Sequence, residues 1–198
     1  MKERKRGKKA DDRVREQPMT YEQYAEMPDD GMRYEIFDGK LEMMTPGPMT
    51  NHQSVSVELE VKLHNSCRTD YLVFDAPIDV ILSPTNVLQP DILMIHRSRL
   101  SIVGRHGIEG PPDLVVEIVS PGSIKRDTVV KMRIYERFGV NEYWIVDASN
   151  RTLAQHRLGE DGSYAIVNLF EGDDTVVSDT LPCVAFTLSD IFREIIDQ

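Results

Sequence analysis

A carboxylate stands in the middle of an apolar segment of this chain. The segment "DLVVEIVS", residues 113–120, has the composition of a buried β-strand and contains Glu117. Since side chains alternate along a strand, Glu117 shares a face with Val115 and Val119. A charge on such a face is costly unless it is paired, hydrogen-bonded or bound to a metal. Glu117 is therefore either a metal ligand or a half-exposed glutamate at the strand end that pairs with a lysine.

A metal-binding Glu117 needs a second carboxylate, and two aspartates are candidates. Asp113 lies four residues earlier on the same strand, about 13 Å away, which is too far to share one ion. Asp113 is instead predicted to cap the entry to the strand. Asp91 follows Pro90 and opens the apolar run "ILMI". If that run forms the neighbouring strand, the two carboxylates converge, and with a backbone carbonyl they form a hard-oxygen site suited to Mg²⁺ or Mn²⁺.

A lysine is the third candidate for chemistry. Within a helix predicted over residues 124–138, Lys131 lies on the same face as Ile134, Tyr135 and Phe138. That face is the one expected to pack on the sheet, so the ammonium group points towards the edge that carries Glu117. There it could stabilise an attacking hydroxide or the negative charge of a phosphoryl transition state. A simple salt bridge with Asp127, one turn earlier, is the alternative, and the two interpretations are compatible.

The elements that must position these residues form an alternating pattern. A short helix is predicted from Thr20, a hairpin over residues 34–43, a helix over 52–66 and a last short helix over 189–196. The predicted strands are "YLVFDAPIDVIL", "LQPDILMIH", "DLVVEIVS", "EYWIVDA", "TLAQHRL" and "YAIVNLF". Because a helix lies between "DLVVEIVS" and "EYWIVDA", these two strands are predicted to pair in parallel. The fold class is therefore α/β (α+β), with a mixed β-sheet flanked by helices.

Length and composition are those of an ordinary globular protein. The chain has 198 residues, of which 40% are hydrophobic and 28% charged, and this favours one domain. No apolar run approaches the roughly 20 residues of a membrane helix, and no secretory signal is visible. Cys67 and Cys183 have no metal-like spacing, so two free thiols in a reducing, cytoplasmic environment are expected.

The net charge of −10 is distributed unevenly. Residues 1–18 contain eight basic and four acidic side chains, a balance of +4, so the other 180 residues carry about −14. This basic tail is predicted to be disordered and is either a phosphate-attracting arm or a solvated terminus. An acidic body is a poor match for a polyanion, because phosphate neutralisation supplies much of the affinity for nucleic acids.

Four segments together resemble a known family. "RYEIFDGKLEMM", "QPDILMI", "PPDLVVEIVSPGS" and "KMRIYERFGVNEYWIVD" follow one another as in the Uma family, a group of restriction-endonuclease-like proteins within the PD-(D/E)xK nuclease superfamily. The resemblance covers about residues 20–195. It implies that residues 19–198 form a single domain with a restriction-endonuclease-like core. It also implies Mg²⁺-dependent (or Mn²⁺-dependent) cleavage of DNA, and enzymes of this type commonly act as dimers.

The resemblance also implies roles for individual residues. Asp91 and Glu117 match the two acidic residues of the motif and would hold the metal, with the backbone carbonyl of Ile118 as a further ligand. The superfamily lysine is expected two residues after the glutamate, where Val119 stands. In the Uma family this lysine lies in the next helix, and Lys131 matches that place. Its implied role is to orient the attacking water and to offset charge in the transition state.

Two further positions match the family pattern. Glu35, in "RYEIFDG", would add a metal ligand or position water, or it is a glutamate on the strand surface. His52 begins the helix after the hairpin, on its inward face, and has either a role at the edge of the site or a structural one. Two rival functions remain open: a catalytically silent nuclease-like domain that binds a partner or assembles as a dimer, and a metal-dependent hydrolase of another substrate.

Overall fold

The computed structural model describes residues 17–44 and 49–196 of the chain. The tail predicted to be disordered, residues 1–18, lies outside the described residues except for its last two. Most of the loop expected at residues 45–50 lies outside them as well.

A short helix and a hairpin begin the described chain, as the sequence predicts. Helix α1 (Tyr21–Ala25) starts at Thr20, whose hydroxyl accepts a hydrogen bond from the Gln23 N–H while the Gln23 side chain accepts one from the Thr20 N–H. This is a capping box, which satisfies two N–H groups that the first turn leaves unpaired. Strands β1 (Tyr34–Phe37) and β2 (Lys40–Met43) pair antiparallel across a two-residue turn in which both residues have positive φ.

Two short strands complete a small antiparallel sheet with this hairpin. They are β4 (Val80–Ser83) and β5 (Asn86–Leu88), and the strands lie in the order β2-β1-β5-β4. The predicted strand "YLVFDAPIDVIL" includes most of β4, and the predicted strand "LQPDILMIH" begins at Leu88, the last residue of β5. The first expected strand is broken at the cis peptide Ala76–Pro77 and the second at Pro90, because proline has no N–H for a sheet ladder. The two expected strands are therefore four, divided between two sheets.

A six-stranded mixed sheet forms the centre of the domain. From one edge to the other its strands are β10 (Tyr164–Glu171), β9 (Thr152–Leu158), β8 (Glu142–Asp147), β7 (Leu114–Val119), β6 (Ile92–His96) and β3 (Tyr71–Asp75). The pair β7–β8 is parallel, as the sequence predicts, and the other neighbours in this sheet are antiparallel. The mixed α+β fold class is confirmed.

The segment that crosses from β7 to β8 is not one regular α-helix, as the sequence had suggested. A π-helical stretch, Arg126–Lys131, precedes α3 (Met132–Arg137), and Gly139 ends the helix with a φ of 79°. Asp127 and Lys131 lie within this stretch and are both buried, at 2% and 1% exposed. Such π-helical stretches often occur at functional sites.

Each face of the central sheet carries its own apolar cluster. Helix α2 (Thr50–Cys67) packs on one face through Val55, Leu59 and Leu63, which are fully buried. Each such side chain contributes about 1.5–3 kcal/mol through burial. The crossover segment covers the other face, where α3 packs through Tyr135. Strand β7 is buried along its whole length and serves both clusters.

The C-terminal segment closes over the α2 face, and it corrects two expectations. It contains strands β11 (Thr175–Val177) and β12 (Ala185–Thr187) and then a 3₁₀ helix, Leu188–Phe192, in place of the expected α-helix over residues 189–196. Cys67 and Cys183 form a disulfide, so the expectation of two free thiols is wrong. The two cysteines are 116 residues apart in sequence, but the packing of this segment against the end of α2 brings their Cα atoms to 5.1 Å.

No helix in the described part of the chain is long and apolar enough to cross a membrane.

Candidate active site

Glu117 occupies the middle of β7 and is 2% exposed. Its carboxylate lies on the face that the crossover segment covers, because the alternation along β7 puts it on the same side as Val115. Both carboxylate oxygens accept hydrogen bonds from the Nζ of Lys131, at 3.0 and 3.2 Å. The half-exposed alternative for Glu117 is therefore wrong, although the pairing with a lysine that it included is present.

Lys131 is the centre of a buried ionic group, which we call the Lys131 cluster. Its Nζ lies 2.8 Å from Glu35 Oε1 and 3.0 Å from Glu117 Oε1. It also donates a hydrogen bond to the backbone carbonyl of Gln89, at 3.1 Å. The predicted salt bridge with Asp127 is present as the longest contact, with 4.0 Å between Nζ and Oδ1. One ammonium group thus holds three carboxylates from three different elements.

Asp91 lies beside the Lys131 cluster at the start of β6. The antiparallel register pairs Ile92 with Val116. The next position of the same register places Asp91 opposite Glu117. Its Oδ2 accepts a hydrogen bond from the backbone N–H of Ile118, at 2.7 Å. The neighbouring-strand arrangement that the sequence suggested for the two acids is therefore present.

His52 lies at the edge of the site, in the first turn of α2. Its Nε2 is 3.2 Å from Oδ2 of Asp91, and its side chain is 14% exposed. Its Nδ1 is buried and has no hydrogen-bond partner within the described residues. The inward direction predicted for this histidine is present, and its contact with Asp91 helps to fix that carboxylate.

Glu35 is not a strand-surface residue, since it is 1% exposed. Its Oε1 contacts Lys131 and accepts a hydrogen bond from the backbone N–H of Gln89, at 2.8 Å. Its Oε2 is buried and has no hydrogen-bond partner among the residues that the structure describes. The second sheet thus contributes a carboxylate to a cluster built mainly on the first.

Asp113 is separate from this site. Its carboxylate accepts a hydrogen bond from the backbone N–H of His96 and pairs with Arg99, each at 2.7 Å. It therefore fixes the entry to β7, as the sequence suggested.

Gln89 is a residue that sequence reasoning missed. Besides its two backbone contacts with the Lys131 cluster, its side-chain oxygen accepts two hydrogen bonds from the guanidinium of Arg33, at 3.0 and 2.8 Å. Its side-chain nitrogen donates to Asp79 Oδ1 at 2.7 Å. Because Gln89 is uncharged, no charge pattern in the sequence indicates it. The signal that was available is its position directly before Pro90 and Asp91.

The two acids of the proposed motif differ in their protonation behaviour. Burial raises the pKa of the Glu117 carboxyl well above its ordinary value; the Lys131 ammonium lowers it only in part, and nearby carboxylates raise it further. Burial also raises the pKa of Asp91, but the hydrogen bond and charge of His52, with the N–H of Ile118, outweigh that effect. The pKa of Asp91 is therefore held below its ordinary value.

The other charged groups of the cluster follow the same physics. Burial raises the pKa of Asp127, and the Lys131 charge offsets this only partly. Burial alone would lower the pKa of Lys131, yet the carboxylates of Glu117, Glu35 and Asp127 raise it above its ordinary value. The site therefore contains a firmly charged ammonium group and more acidic groups than that cation can neutralise.

Most of the predicted site residues line one cavity of about 400 Å³. Asp91, Glu117, Ile118, Asp127 and Lys131 all contribute to its wall. Other residues at the cavity come from α2, from both ends of the hairpin, from the turn after β7 and from the π-helical stretch. They include Arg33, Met44, His52, Ser120, Ser123 and Arg126. A cavity of about 540 Å³ beside α1 is larger but contains none of the predicted site residues. The chemistry therefore points to the smaller cavity.

The donor set fits a hard divalent cation. Within residues 17–44 and 49–196, no group of three or more His, Cys, Asp or Glu side chains is arranged to hold a metal by itself. Mg²⁺, however, is usually bound by one or two carboxylates and completes its shell with water and substrate phosphate. Asp91 and Glu117 offer two carboxylates at one cavity, and buried oxygens of Glu35 and Asp127 are left without a hydrogen-bond partner in the described chain. This surplus of acidic oxygens is what a cation would neutralise.

The mixed sheet, its helices and the carboxylate–lysine cavity define a nuclease-like domain. The chain belongs to the Uma2 family, described as "Putative restriction endonuclease", whose profile matches residues 21–189. The family resemblance seen in the four sequence segments is confirmed.

A solved structure supports the fold independently. It is a protein from Anabaena variabilis described as a "putative nuclease belonging to DUF820", and its structure is similar to this one with a TM-score of 0.71. The alignment covers 89% of this chain and 98% of the other, at 18% sequence identity. At that identity the similarity establishes a shared fold. No curated protein matches the chain.

Proposed function

We propose that this chain is a Mg²⁺- or Mn²⁺-dependent endonuclease that hydrolyses phosphodiester bonds in DNA. The observation that carries the proposal is the convergence of Asp91, Glu117 and Lys131 on one cavity, in a chain of a restriction-endonuclease family. Those three residues are the ones that the motif pattern singles out in the sequence.

Asp91 and Glu117 would hold the cation, together with the backbone carbonyl of Ile118. Such a cation, when bound, polarises the scissile phosphate and lowers the pKa of a coordinated water. The low pKa of Asp91 keeps one carboxylate charged before a cation arrives. The contact with His52 and the Ile118 N–H holds that carboxylate in one orientation.

Lys131 would place a fixed positive charge beside the reacting phosphate. Three carboxylates and the Gln89 carbonyl surround its Nζ, so the ammonium group is held in position before substrate binds. A charge that needs no reorganisation stabilises developing negative charge more effectively than a mobile one. Glu35 acts in this scheme by positioning Lys131.

A cleavage assay tests the proposal. The purified protein is incubated with supercoiled, linear and single-stranded DNA in Mg²⁺, in Mn²⁺ and in EDTA. We expect cleavage with either metal and none in EDTA. The variants Glu117→Gln and Lys131→Ala should reduce the rate by at least about a hundredfold, because each removes a group that stabilises the transition state.

A matched control separates loss of charge from loss of fold. Glu171→Gln makes the same substitution at an exposed position at the end of β10 that does not line the cavity. It should cleave at the wild-type rate. Unchanged cleavage by folded Glu117→Gln protein would refute the site.

The rival function is a catalytically silent nuclease-like domain that binds a partner. The acidic balance of residues 19–198, about −14, is the observation that favours it, because it opposes DNA binding. That function predicts no cleavage with any divalent metal.

A homodimer belongs to the main proposal, since two copies of the site are needed to cut both strands of a duplex at once. Light scattering of the purified protein tests it, with a mass of about twice 22.6 kDa as the expected result.

A further inference from the structure

The candidate nuclease faces an electrostatic problem. About −14 of net charge lies on the body of the chain, and at least four carboxylates line or approach the cavity. A phosphate backbone must approach this surface closely. Lys131 adds little attraction for a phosphate that is still at a distance, because three carboxylates already surround its ammonium group. Other cations of the cavity wall have to meet the substrate.

Arg33 is the first of these cations. It precedes β1, and it is an exposed residue whose guanidinium nevertheless has a fixed place. Gln89, which is 7% exposed, accepts hydrogen bonds from both Nε and Nη2 of Arg33. The Gln89 amide is itself held by Asp79, at 2.7 Å. Two of the five N–H donors are used in this way, and the others can bind a ligand in the cavity.

The orientation of Arg33 is therefore built into the fold. A free arginine on a surface samples many rotamers, and ordering it costs entropy when a ligand binds. Here a buried amide has already fixed the guanidinium next to the carboxylates. Preorganised groups of this kind increase affinity by reducing the cost of binding.

Arg126 is the second cation of the cavity wall, and it comes from a different element, the start of the π-helical stretch. Its Nε is buried and has no hydrogen-bond partner within the described residues. Oδ1 of Asp127 lies 3.5 Å away without hydrogen-bond geometry, and this oxygen, which is 4.0 Å from Lys131 Nζ, also has no hydrogen-bond partner among the described residues. A buried N–H donor without a partner is uncommon and calls for a ligand or a bound water.

We propose that Arg33 and Arg126 form a phosphate-binding pair for the nucleic-acid backbone, and that Gln89 is the positioning residue for Arg33. The inference rests on the proposed nuclease function and adds its substrate-binding groups. Arginine suits the role because its planar fork matches a phosphate with two parallel hydrogen bonds. The pair concentrates positive charge where the scissile strand enters an otherwise acidic molecule.

The test separates binding from chemistry. Arg33→Ala, Arg126→Ala and Gln89→Ala are compared with wild type in steady-state cleavage and in anisotropy titrations with labelled single-stranded and duplex oligonucleotides. Arg33→Ala and Arg126→Ala should each raise KM and Kd about tenfold or more, because a hydrogen-bonded charge on phosphate is lost. The kcat should stay within about twofold.

Salt dependence provides a second measurement. The slope of log Kd against log salt concentration should fall by about 1 for each arginine removed, as expected for one phosphate contact. Arg157→Ala is the matched control, because Arg157 pairs with Asp179 on the surface and does not line the cavity. It should leave KM, Kd and the salt slope at wild-type values.

Gln89 requires its own criterion. If it acts through Arg33, the double variant Arg33→Ala/Gln89→Ala should have the same KM as Arg33→Ala alone, while Gln89→Ala alone raises KM less. A purely structural Gln89 would instead give additive losses and a lower kcat, and that result would overturn its positioning role.

The two proposals fail in different ways. Cleavage by the wild type with unchanged KM and Kd in both arginine variants would overturn the phosphate-binding pair alone. No cleavage by the wild type with any metal would overturn the nuclease function. In that case, oligonucleotide binding that Arg33→Ala weakens would still support the pair.

Discussion

The two faces of β7 differ in whether a charge is buried among their apolar side chains. On one face, the apolar face, Val116 and Ile118 join an apolar cluster under α2 and the C-terminal segment. The other, the ionic face, has an apolar cluster that includes Val115 but also carries a buried carboxylate. There Glu117 meets an ammonium group in an almost solvent-free environment. Burial of aliphatic groups stabilises a fold directly, whereas a buried ion pair must first overcome the loss of its hydration. The apolar face therefore contributes to stability by burial alone, whereas the ionic face depends on the pairing of its buried charges.

The largest expected effect comes from removing the cation of the ionic face. Lys131→Met leaves the carboxylates of Glu35, Glu117 and Asp127 buried without their counter-ion. We expect a loss of about 3–5 kcal/mol in the free energy of unfolding at neutral pH, together with loss of cleavage. Urea unfolding followed by circular dichroism measures the first, and the DNA assay measures the second.

A second substitution sharpens this result. Adding Glu117→Gln to Lys131→Met removes one of the stranded charges, so the double variant should regain part of the stability but none of the activity. If Lys131→Met is as stable as wild type, the buried carboxylates do not depend on Lys131 as their counter-ion. The contrast between the two faces of β7 would then be wrong.

The next largest effect on stability is expected from the Cys67–Cys183 disulfide, which lies in the apolar cluster on the α2 side of the sheet. Reduction of Cys67–Cys183 opens a cross-link between residues 116 apart, which should lower the free energy of unfolding by about 2–5 kcal/mol. The kcat of the folded protein should change by less than about twofold, because the cross-link is remote from the cavity. A Cys67→Ala/Cys183→Ala variant should not respond to reductant. Loss of cleavage on reduction of the wild type alone would show that the two faces are coupled.

A smaller effect should appear in the pH dependence of stability without metal. The folded protein holds the Glu117 proton to higher pH than the unfolded chain, whose glutamate pKa is about 4.3. Between these two pKa values the native state binds more protons, so wild-type stability falls as pH rises. Relative to Glu117→Gln, the fall is at most about 1.4 kcal/mol per pH unit. Urea unfolding of both proteins in EDTA from pH 4 to 9 measures it, and a difference of opposite slope would contradict the raised pKa.

The smallest effect on stability is expected for a partly exposed salt bridge at the edge of the apolar cluster under α2. Lys62 of α2 pairs with Asp190 at 2.6 Å, and both side chains are partly exposed. Such pairs contribute about 0.2–1 kcal/mol, so Lys62→Ala should shift the urea midpoint only slightly and leave cleavage unchanged. A loss comparable to that of Lys131→Met would mean that the two faces do not differ as described.

The sequence predicted the elements whose signals are local. The hairpin across Asp38-Gly39, the capping box at Thr20 and the parallel pair around the crossover helix all follow from short patterns. Glu117 and Lys131 were singled out because each is a charged residue on an otherwise apolar face, and Asp91 because it follows Pro90 and opens an apolar run. The contact of Lys131 with Glu117 follows from the helix face, and the place of Asp91 opposite Glu117 follows from the strand register.

Features that depend on distant packing escaped the sequence. The two long strands predicted from the sequence are divided between two sheets, because the prolines within them interrupt the hydrogen-bond ladder. The disulfide joins cysteines whose only relation is the path of the C-terminal segment. Gln89 carries no charge, so its links to Arg33, Asp79 and the Lys131 cluster could not be inferred from its type or spacing.

The construction of the candidate site has a consequence for folding kinetics. Glu35, Asp91, Glu117 and Lys131 come from four separate segments, and β7 and β8 pair in parallel only after the crossover has formed. Contacts between residues far apart in sequence form late, since long loops must close first. A chain that has formed only its hairpin and helices has none of these four groups in place. If the proposed function holds, activity should therefore appear late in refolding, and a chain that lacks any of these segments should be inactive.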